Sequence, residues 1–356
     1  MMFALHSRPN LMPKNSRSTL VDVAKAAGVS LATVDRVINR RQGVRHGTML
    51  KVEEVIRTLD FRRDPLASRL ARDVFHRFVF LLPSGNNLFM RAIEAQVAST
   101  EREFSSQRVF LEVQLVDVFD PVPLARAISA IDTSSIHGLA VVALDHPTVR
   151  SAINDLVNDG VQVTTLVSDV PSSRRLRFIG VDNGAAGRTA GALMGRFLGK
   201  RKGEVAVIMG SKGLRDHAER LFGFSQVMAG EFPHQLVLDP IEGRDSDEIN
   251  AERIASLLAR RNSVVGIYNI GAGNQGIGEA LRVACRELDV VFVGHELNEE
   301  SGGFLLGGTM DAVINQDAGH EVRSSVRVHL SHLNQEPIDA ERERIGIQIY
   351  LRENLP

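Results

Sequence analysis

A series of apolar runs in this sequence each ends in a small cluster of hydrogen-bonding side chains. The clusters are Ser84/Asn86/Asn87, Asp145/His146, Ser168/Asp169, Asp182/Asn183, Ser211, Asn269, His295/Glu296 and Gln316/Asp317. Converging amides, hydroxyls and carboxylates are suited to holding a small polyhydroxylated ligand by hydrogen bonds. Chemical transformation finds less support. There is no G-x-S-x-G elbow, no H-E-x-x-H and no G-x-x-x-x-G-K phosphate loop. His217 with Glu219, or His295 with Glu296, could form an acid–base pair, but each reads more simply as a hydrogen-bonding or solvated pair. A single cysteine, Cys285, excludes a disulfide framework or a cysteine-based zinc site, and it is expected to pack as a small buried hydrophobe on a helix. No catalytic residue, cofactor or metal is expected.

One motif competes with this reading. Gly271-Ala272-Gly273-Asn274-Gln275-Gly276 is a G-x-G-x-x-G that follows an apolar run and opens a helical pattern, with Glu296 twenty residues beyond Gly276. On paper this is a dinucleotide fingerprint, and it would make the chain an NAD-dependent dehydrogenase using Gly271, Gly273 and Gly276. Only 80 residues follow Gly276, too few for the two mononucleotide halves of such a fold. The preferred view is that these glycines let the backbone approach a ligand cleft.

The polar clusters need a scaffold. Runs at Phe78–Leu82, Gly138–Leu144, Gln162–Val167, Phe178–Val181, Glu204–Met209, Val264–Ile270, Val290–Val293 and Ala312–Ile314 alternate with helical stretches. The expected fold is α/β, with two parallel, doubly wound sheets whose strand ends face one cleft. No run of apolar residues is long enough to span a membrane, and no signal peptide is evident, so a cytoplasmic location is expected.

Charge separates the first 76 residues from the rest. They carry 14 Lys+Arg against 7 Asp+Glu, whereas the whole chain carries 42 against 43. The head is therefore +7 and the body −8, which suits a head that meets a polyanion. Within it, Ser18-Thr19 before Asp22 caps a helix with Leu20, Val23, Ala24 and Ala27 inward, and Gly28 ends it. Ser30 caps a second helix with Val34, Val37 and Ile38 inward and Leu31, Ala32, Asp35, Arg36 and Asn39 outside. Thr48 is expected to cap a third, with Val52, Val55, Ile56 and Leu59 inward. Two helices joined by a four-residue turn make a helix-turn-helix, whose second helix suits a major groove. Beyond the head, Asp64-Pro65 could start a short helix containing Leu70.

The run from Leu20 to Asn39 closely resembles the DNA-binding signature of LacI-family transcriptional regulators. By that resemblance Leu31, Ala32 and Arg36 meet base edges, Thr33, Asn39, Arg40 and the amides at the start of the helix hold phosphates, and Thr19 and Ser30 also belong to the DNA-binding surface. Asp35 stands where the family usually has Ser. The family's hinge helix, which orders on the operator and pushes a leucine into the minor groove, corresponds to Asp64–Arg72, with Leu70 and Ala71 at the wedge. The resemblance extends from Thr19 to Pro356 and implies a periplasmic-sugar-binding-protein-like core, nearest the ribose-binding type. Asn87-Leu88-Phe89 resembles an element whose aromatic stacks on a sugar ring. Glu219-Arg220 with Gly223-Phe224 resembles the stretch whose arginine forks onto ligand hydroxyls.

The resemblance implies a repressor whose operator affinity is controlled by a sugar or polyol effector. Effector contacts are expected from Asn87, Phe89, Asp145, Ser168, Asp169, Arg220, Asn269, Glu296 and Gln316. Val167-Ser168 and His295-Glu296 depart from the ribose-type pattern. A homodimer on a pseudo-palindromic operator is expected, without the leucine-heptad tail of tetrameric members. The expected organisation is a tail at 1–17, the helix-turn-helix domain at 18–63, the hinge and linker at 64–76 and the core at 77–356. Lobe 1 is placed at about 77–174 and 296–317, lobe 2 at 175–295 and 318–356. A sugar-binding module with a non-functional head remains the alternative.

Overall fold

The computed structural model describes residues 18–38, 42–59, 61, 75–85 and 87–356. Chain contacts divide the molecule into two units, residues 1–74 and 75–356.

The first unit is a bundle of α1 (Leu20–Ala27), α2 (Leu31–Ile38) and α3 (His46–Thr58). Thr19 and Asp22 close α1 in a capping box: the Asp22 carboxylate accepts from the Thr19 amide at 2.8 Å and hydroxyl at 2.7 Å. Those bonds hold the Asp22 carboxyl below its usual range. Gly28 ends α1 at φ 65°, a left-handed conformation that a side chain would strain. Ser30 Oγ accepts from the Thr33 amide at 3.2 Å, capping α2. Val23, Ala24, Ala27, Val34, Val37 and Val52 form the core. Helix α3 departs from expectation. It begins at His46, because Arg45 is extended and its carbonyl already accepts from the Thr48 amide at 2.9 Å, so the cap falls three residues earlier than Thr48.

The second unit has two lobes. In the smaller sheet the strands are β1 (His76–Pro83), β2 (Val109–Val116), β3 (Gly138–Val141), β4 (Gln162–Leu166) and β5 (Arg177–Ile179). They run all parallel in the order β2-β1-β3-β4-β5. Helices α4 (Leu88–Glu103), α5 (Pro121–Ser129) and α6 (Pro147–Asn158) connect them. The larger sheet takes β6 (Gly203–Met209), β7 (Gln235–Val237), β8 (Ile241–Glu242), β9 (Val264–Asn269), β10 (Val291–His295), β11 (Ala312–Asn315) and β12 (Gln348–Tyr350). Its order is β12-β11-β10-β9-β6-β7, with β8 also on β6. Helices α7 (Asn183–Leu198), α8 (Arg215–Glu231), α9 (Asp247–Arg260), α10 (Asn274–Val283) and α11 (Glu299–Gly307) cover it. Only β12 is antiparallel, pairing with β11 at the edge.

Lobe membership differs from expectation near the C-terminus. Strand β11 pairs with β10 in the larger sheet, Val293 opposite Ala312, so residues up to 315 stay in the second lobe. Helix α12 (Ala318–Leu333) then crosses to the first lobe. Its Val322, Val326 and Leu330 pack with Phe78, Phe80 and Val97, and His329 stacks on Phe78. β5 also joins the first lobe, which extends past residue 174. The reversed assignment follows from burial: the face of α12 is apolar enough to cover either sheet, and only its partners decide which. Cys285 is also corrected. It is exposed just beyond α10, at φ 51°.

Candidate functional site

In the first unit, α2 presents Leu31, Ala32 and Arg36 outward while Val34 and Val37 fill the core. Leu31 is 49% exposed. Thr33 is tied to Ser30, their hydroxyls 2.9 Å apart, and the Thr19 hydroxyl is engaged by Asp22. The α2 start thus offers a rigid, neutral surface flanked by Arg36. Asn39, Arg40, Leu70 and Ala71 lie outside the described residues.

In the second unit the two strand orders each reverse direction once, at β1/β3 and at β6/β9, and helices leave the sheet there in opposite senses. The crevice beyond the strand ends at such a point is the ordinary ligand position of open α/β sheets. Here both crevices face one cavity of ≈ 320 Å³. Ser84 and Asn87 enter after β1, Ser168 after β4, Asp216, His217 and Arg220 from α8, Gly271 after β9, and Glu296 and Gln316 after β10 and β11.

Arg220 is buried on the cavity's second-lobe wall. Its Nε donates to Asn183 Oδ1 at 2.7 Å and its Nη1 to the Ile270 carbonyl at 3.0 Å. Gln316 Nε2 donates to Glu296 Oε1 at 2.9 Å. Burial pushes the Glu296 carboxyl up to about 7, opposed by the Arg220 charge and the Gln316 bond. Burial drives His295 well below the usual histidine range, with Arg220 and His217 adding to it. Its Nε2 stands 2.8 Å from the Tyr268 hydroxyl. Among the described residues, Ser168 Oγ, Asp216 Oδ1, Glu296 Oε2 and Gln316 Oε1 are buried without a hydrogen-bond partner. Four such atoms around one cavity are costly unless something donates to them.

Behind the cleft lies Glu321, in the first turn of α12, fully buried with both carboxyl oxygens unpartnered. Burial holds its carboxyl well above the usual range, and nearby Glu296 adds to this. A carboxyl raised in the folded state favours folding at low pH, and that contribution is lost as pH rises above the unfolded value of about 4.3. Glu321→Gln should therefore be more stable than the natural chain at pH 8, the gap shrinking toward pH 4. Thermal unfolding of the two proteins across that range checks it, and a pH-independent difference would refute it.

Of the residues expected to contact an effector, Asn87, Phe89, Ser168, Arg220, Glu296 and Gln316 line the cavity. Asp145, Asp169 and Asn269 do not. Asp145 pairs with Arg150 at 3.0 Å and with Arg215 at 3.5 Å. Asp169 is held by Arg175 and accepts from Thr165 Oγ1 at 2.6 Å. Asn269 donates to the Ala272 carbonyl at 3.1 Å and to Asn274 Oδ1 at 2.8 Å. The cavity adds residues that sequence reasoning did not select: Phe119, Leu214, Asp216, Arg244 and Asp245. The Arg244 guanidinium lies 5.2 Å from the Phe119 ring centre, and Asn87 Nδ2 donates to Asp245 Oδ2 at 3.3 Å, so both bridge the lobes.

The glycine motif finds a different use. Gly271 lines the cavity, but a Cβ at Gly276 would stand 1.9 Å from the Asp247 carbonyl oxygen. The Gly276 amide donates to Asp247 Oδ1 at 2.9 Å. A protein carboxylate thus occupies the helix N-terminus where a dinucleotide's pyrophosphate would bind. Among the described residues there is no cluster of three or more potential metal ligands and no helix able to cross a membrane.

Residues 78–337 match the periplasmic binding protein domain model, and residues 19–64 match that of the bacterial regulatory proteins, lacI family. The HTH-type transcriptional regulator DegA of Bacillus subtilis is 23% identical over 255 residues, 71% of this chain and 72% of DegA. The sucrose operon repressor of Lactococcus lactis is 28% identical over 181 residues, 46% of this chain and 57% of that protein. Among solved structures, GanP, a glucose-galactose binding protein from Geobacillus stearothermophilus, superposes with a TM-score of 0.71 at 20% identity. That match covers 80% of this chain and 99% of GanP.

Proposed function

The chain belongs to the lacI family of bacterial regulatory proteins, and from that premise we propose a one-component repressor governed by a sugar or polyol. The observation that carries the ligand half is the cavity between the lobes with Ser168 Oγ, Asp216 Oδ1, Glu296 Oε2 and Gln316 Oε1 unpartnered beside Arg220. Hydroxyls both donate and accept, so one polyhydroxylated ligand satisfies carboxylate, amide and guanidinium together. The observation that carries the DNA half is α2, short and outward-facing with Leu31, Ala32 and Arg36. Leu31 and Ala32 suit thymine methyls and Arg36 suits a guanine edge.

A single small head buries too little surface for tight specific binding, so the protein acts as a homodimer on a pseudo-palindromic operator. Asn39 and Arg40 add phosphate contacts, and Leu70 and Ala71 wedge the operator centre. No catalysis is assigned, and the setting is the cytoplasm. Selection of genomic fragments by the full-length protein, with and without a pool of sugars and polyols, tests the whole reading. One enriched palindrome whose recovery changes with the pool supports it. No enriched sequence in either condition overturns the DNA half.

Arg36→Ala should relax preference at one base pair and cost about 1–3 kcal/mol against the best site. Competition binding with single-base operator variants measures this. Uniform weakening across all variants would instead make Arg36 a phosphate contact.

A further inference from the structure

The loop between β6 and α8 belongs to the second lobe by chain and to the first by packing. Leu214 is 5% exposed and sits in the apolar cluster of Leu81, Val118, Leu144 and Val149, every other buried member of which comes from the first lobe. A Cβ at the neighbouring Gly213 would stand 2.9 Å from Leu144 Cδ1, so the loop lies flush against that lobe. The next residue, Arg215, reaches the same place: its Nη1 is 3.5 Å from Asp145 Oδ2. The other Asp145 oxygen is held by Arg150 within the first lobe, at 3.0 Å. Arg215 Nε in turn donates to Glu219 Oε1 at 2.8 Å. From this anchor α8 runs directly into Asp216, His217 and Arg220 on the cavity wall.

We propose that Leu214, reinforced by the Asp145–Arg215 pair, is a latch that holds the two lobes together and so sets how tightly the cleft keeps its ligand. Its bearing on regulation rests on the ligand-controlled reading above; its bearing on lobe geometry does not. Most of the hold comes from Leu214, because a part-exposed ion pair contributes little beside a buried apolar side chain. The latch works by population. If releasing it lowers the closed fraction to a tenth, apparent ligand affinity falls about tenfold even with the polar groups of the cavity unchanged. It also accounts for Asp145, a strand-end carboxylate that is committed to Arg215 and Arg150 and stays out of the cavity.

The test is a distance measurement between the lobes. Spin labels are placed through Val122→Cys on the first lobe and Leu236→Cys on the second, both exposed, in a full-length chain carrying Cys285→Ser. Diluted with excess unlabelled chain, so that a dimer carries one labelled protomer, the parent should give one dominant distance. Leu214→Ala should add a second, displaced population, Leu214→Met should restore the parent distribution, and Asp145→Asn should shift it less in the same direction. Ile153→Ala empties the same apolar cluster from within the first lobe and serves as the control. It should lower the unfolding temperature without changing the distance. An unchanged distribution in folded Leu214→Ala, or equal broadening in Ile153→Ala, overturns the latch. No ligand is added, so the latch can fail while the sugar reading stands, and the reverse.

Discussion

Arg220→Gln should abolish the effector response at ligand concentrations that saturate the natural protein. Arg220 is buried, and its Nε and Nη1 are used by Asn183 and Ile270. Its Nη2 makes no protein hydrogen bond among the described residues, and the guanidinium borders the cavity. A hydrogen bond from a charged donor contributes about 1.5–3 kcal/mol, so loss of one or two such bonds weakens binding by about ten- to ten-thousandfold. The neutral amide is too short to reach the same atoms. Titration of operator release against effector concentration gives the measurement, and a shift below threefold would remove Arg220 from the site.

The same substitution has a second signature. Arg220 opposes the upward push of burial on both Glu296 and Glu321. Without it both carboxyls rise further in the folded state. Each then contributes less as pH climbs through its folded value, so the variant should lose more stability at pH 8 than at pH 5.5. Breaking a buried charge arrangement costs about 3–5 kcal/mol in general, enough to see by thermal unfolding. A loss of ligand affinity with no pH-dependent stability change would mean that Arg220 binds ligand but does not balance the carboxyls.

How far the sequence discloses this site depends on how regular the backbone is beside each residue. Glu296 and Gln316 follow β10 and β11 directly, so the end of an apolar run marks them. Ser168 and Asp169 are neighbours just past β4, where Val167 takes φ 64° and the chain bends out of the strand, so neither follows its alternation. Ser168 lines the cavity, while Asp169 is taken by Arg175 and Thr165. Spacing alone cannot choose between them. Arg244 and Asp245 leave no periodic trace: they follow β8, two residues long, and occupy consecutive positive-φ positions at 52° and 57°. Phe119 lies between β2 and α5, in a loop without a strand-end signal. The head was the most legible part because the caps of α1 and α2, the Gly28 turn and the inward valines are all local, whereas α3 starts without a side-chain cap and left no such mark. Lobe membership was the least legible, because α12 chooses its sheet through contacts far along the chain.

Gly187→Ala should damage both the second lobe and the ligand site, although the substitution adds one methyl group to a helix. Helices α7 and α8 cross backbone to backbone. A Cβ at Gly187 would stand 2.0 Å from the Arg220 carbonyl oxygen and 2.8 Å from its Cα. The contact is reciprocal: a Cβ at Gly223 would stand 2.3 Å from the Gly184 carbonyl oxygen. No side-chain rotation relieves either clash, so the helices must separate. Overpacking of this kind costs about 1–3 kcal/mol and occasionally more. Helix separation at that point also moves Arg220 from Asn183, which sits at the start of α7 and accepts from its Nε. Ligand affinity should therefore fall together with the unfolding temperature. Gly230→Ala, near the end of α8 with nothing within 4 Å of its Cβ, provides the contrast. It should leave binding unchanged and stabilise by about 0.5–1 kcal/mol through helix propensity. Equal unfolding temperatures for Gly187→Ala and the natural chain would show that the crossing is looser than the carbonyl contacts require.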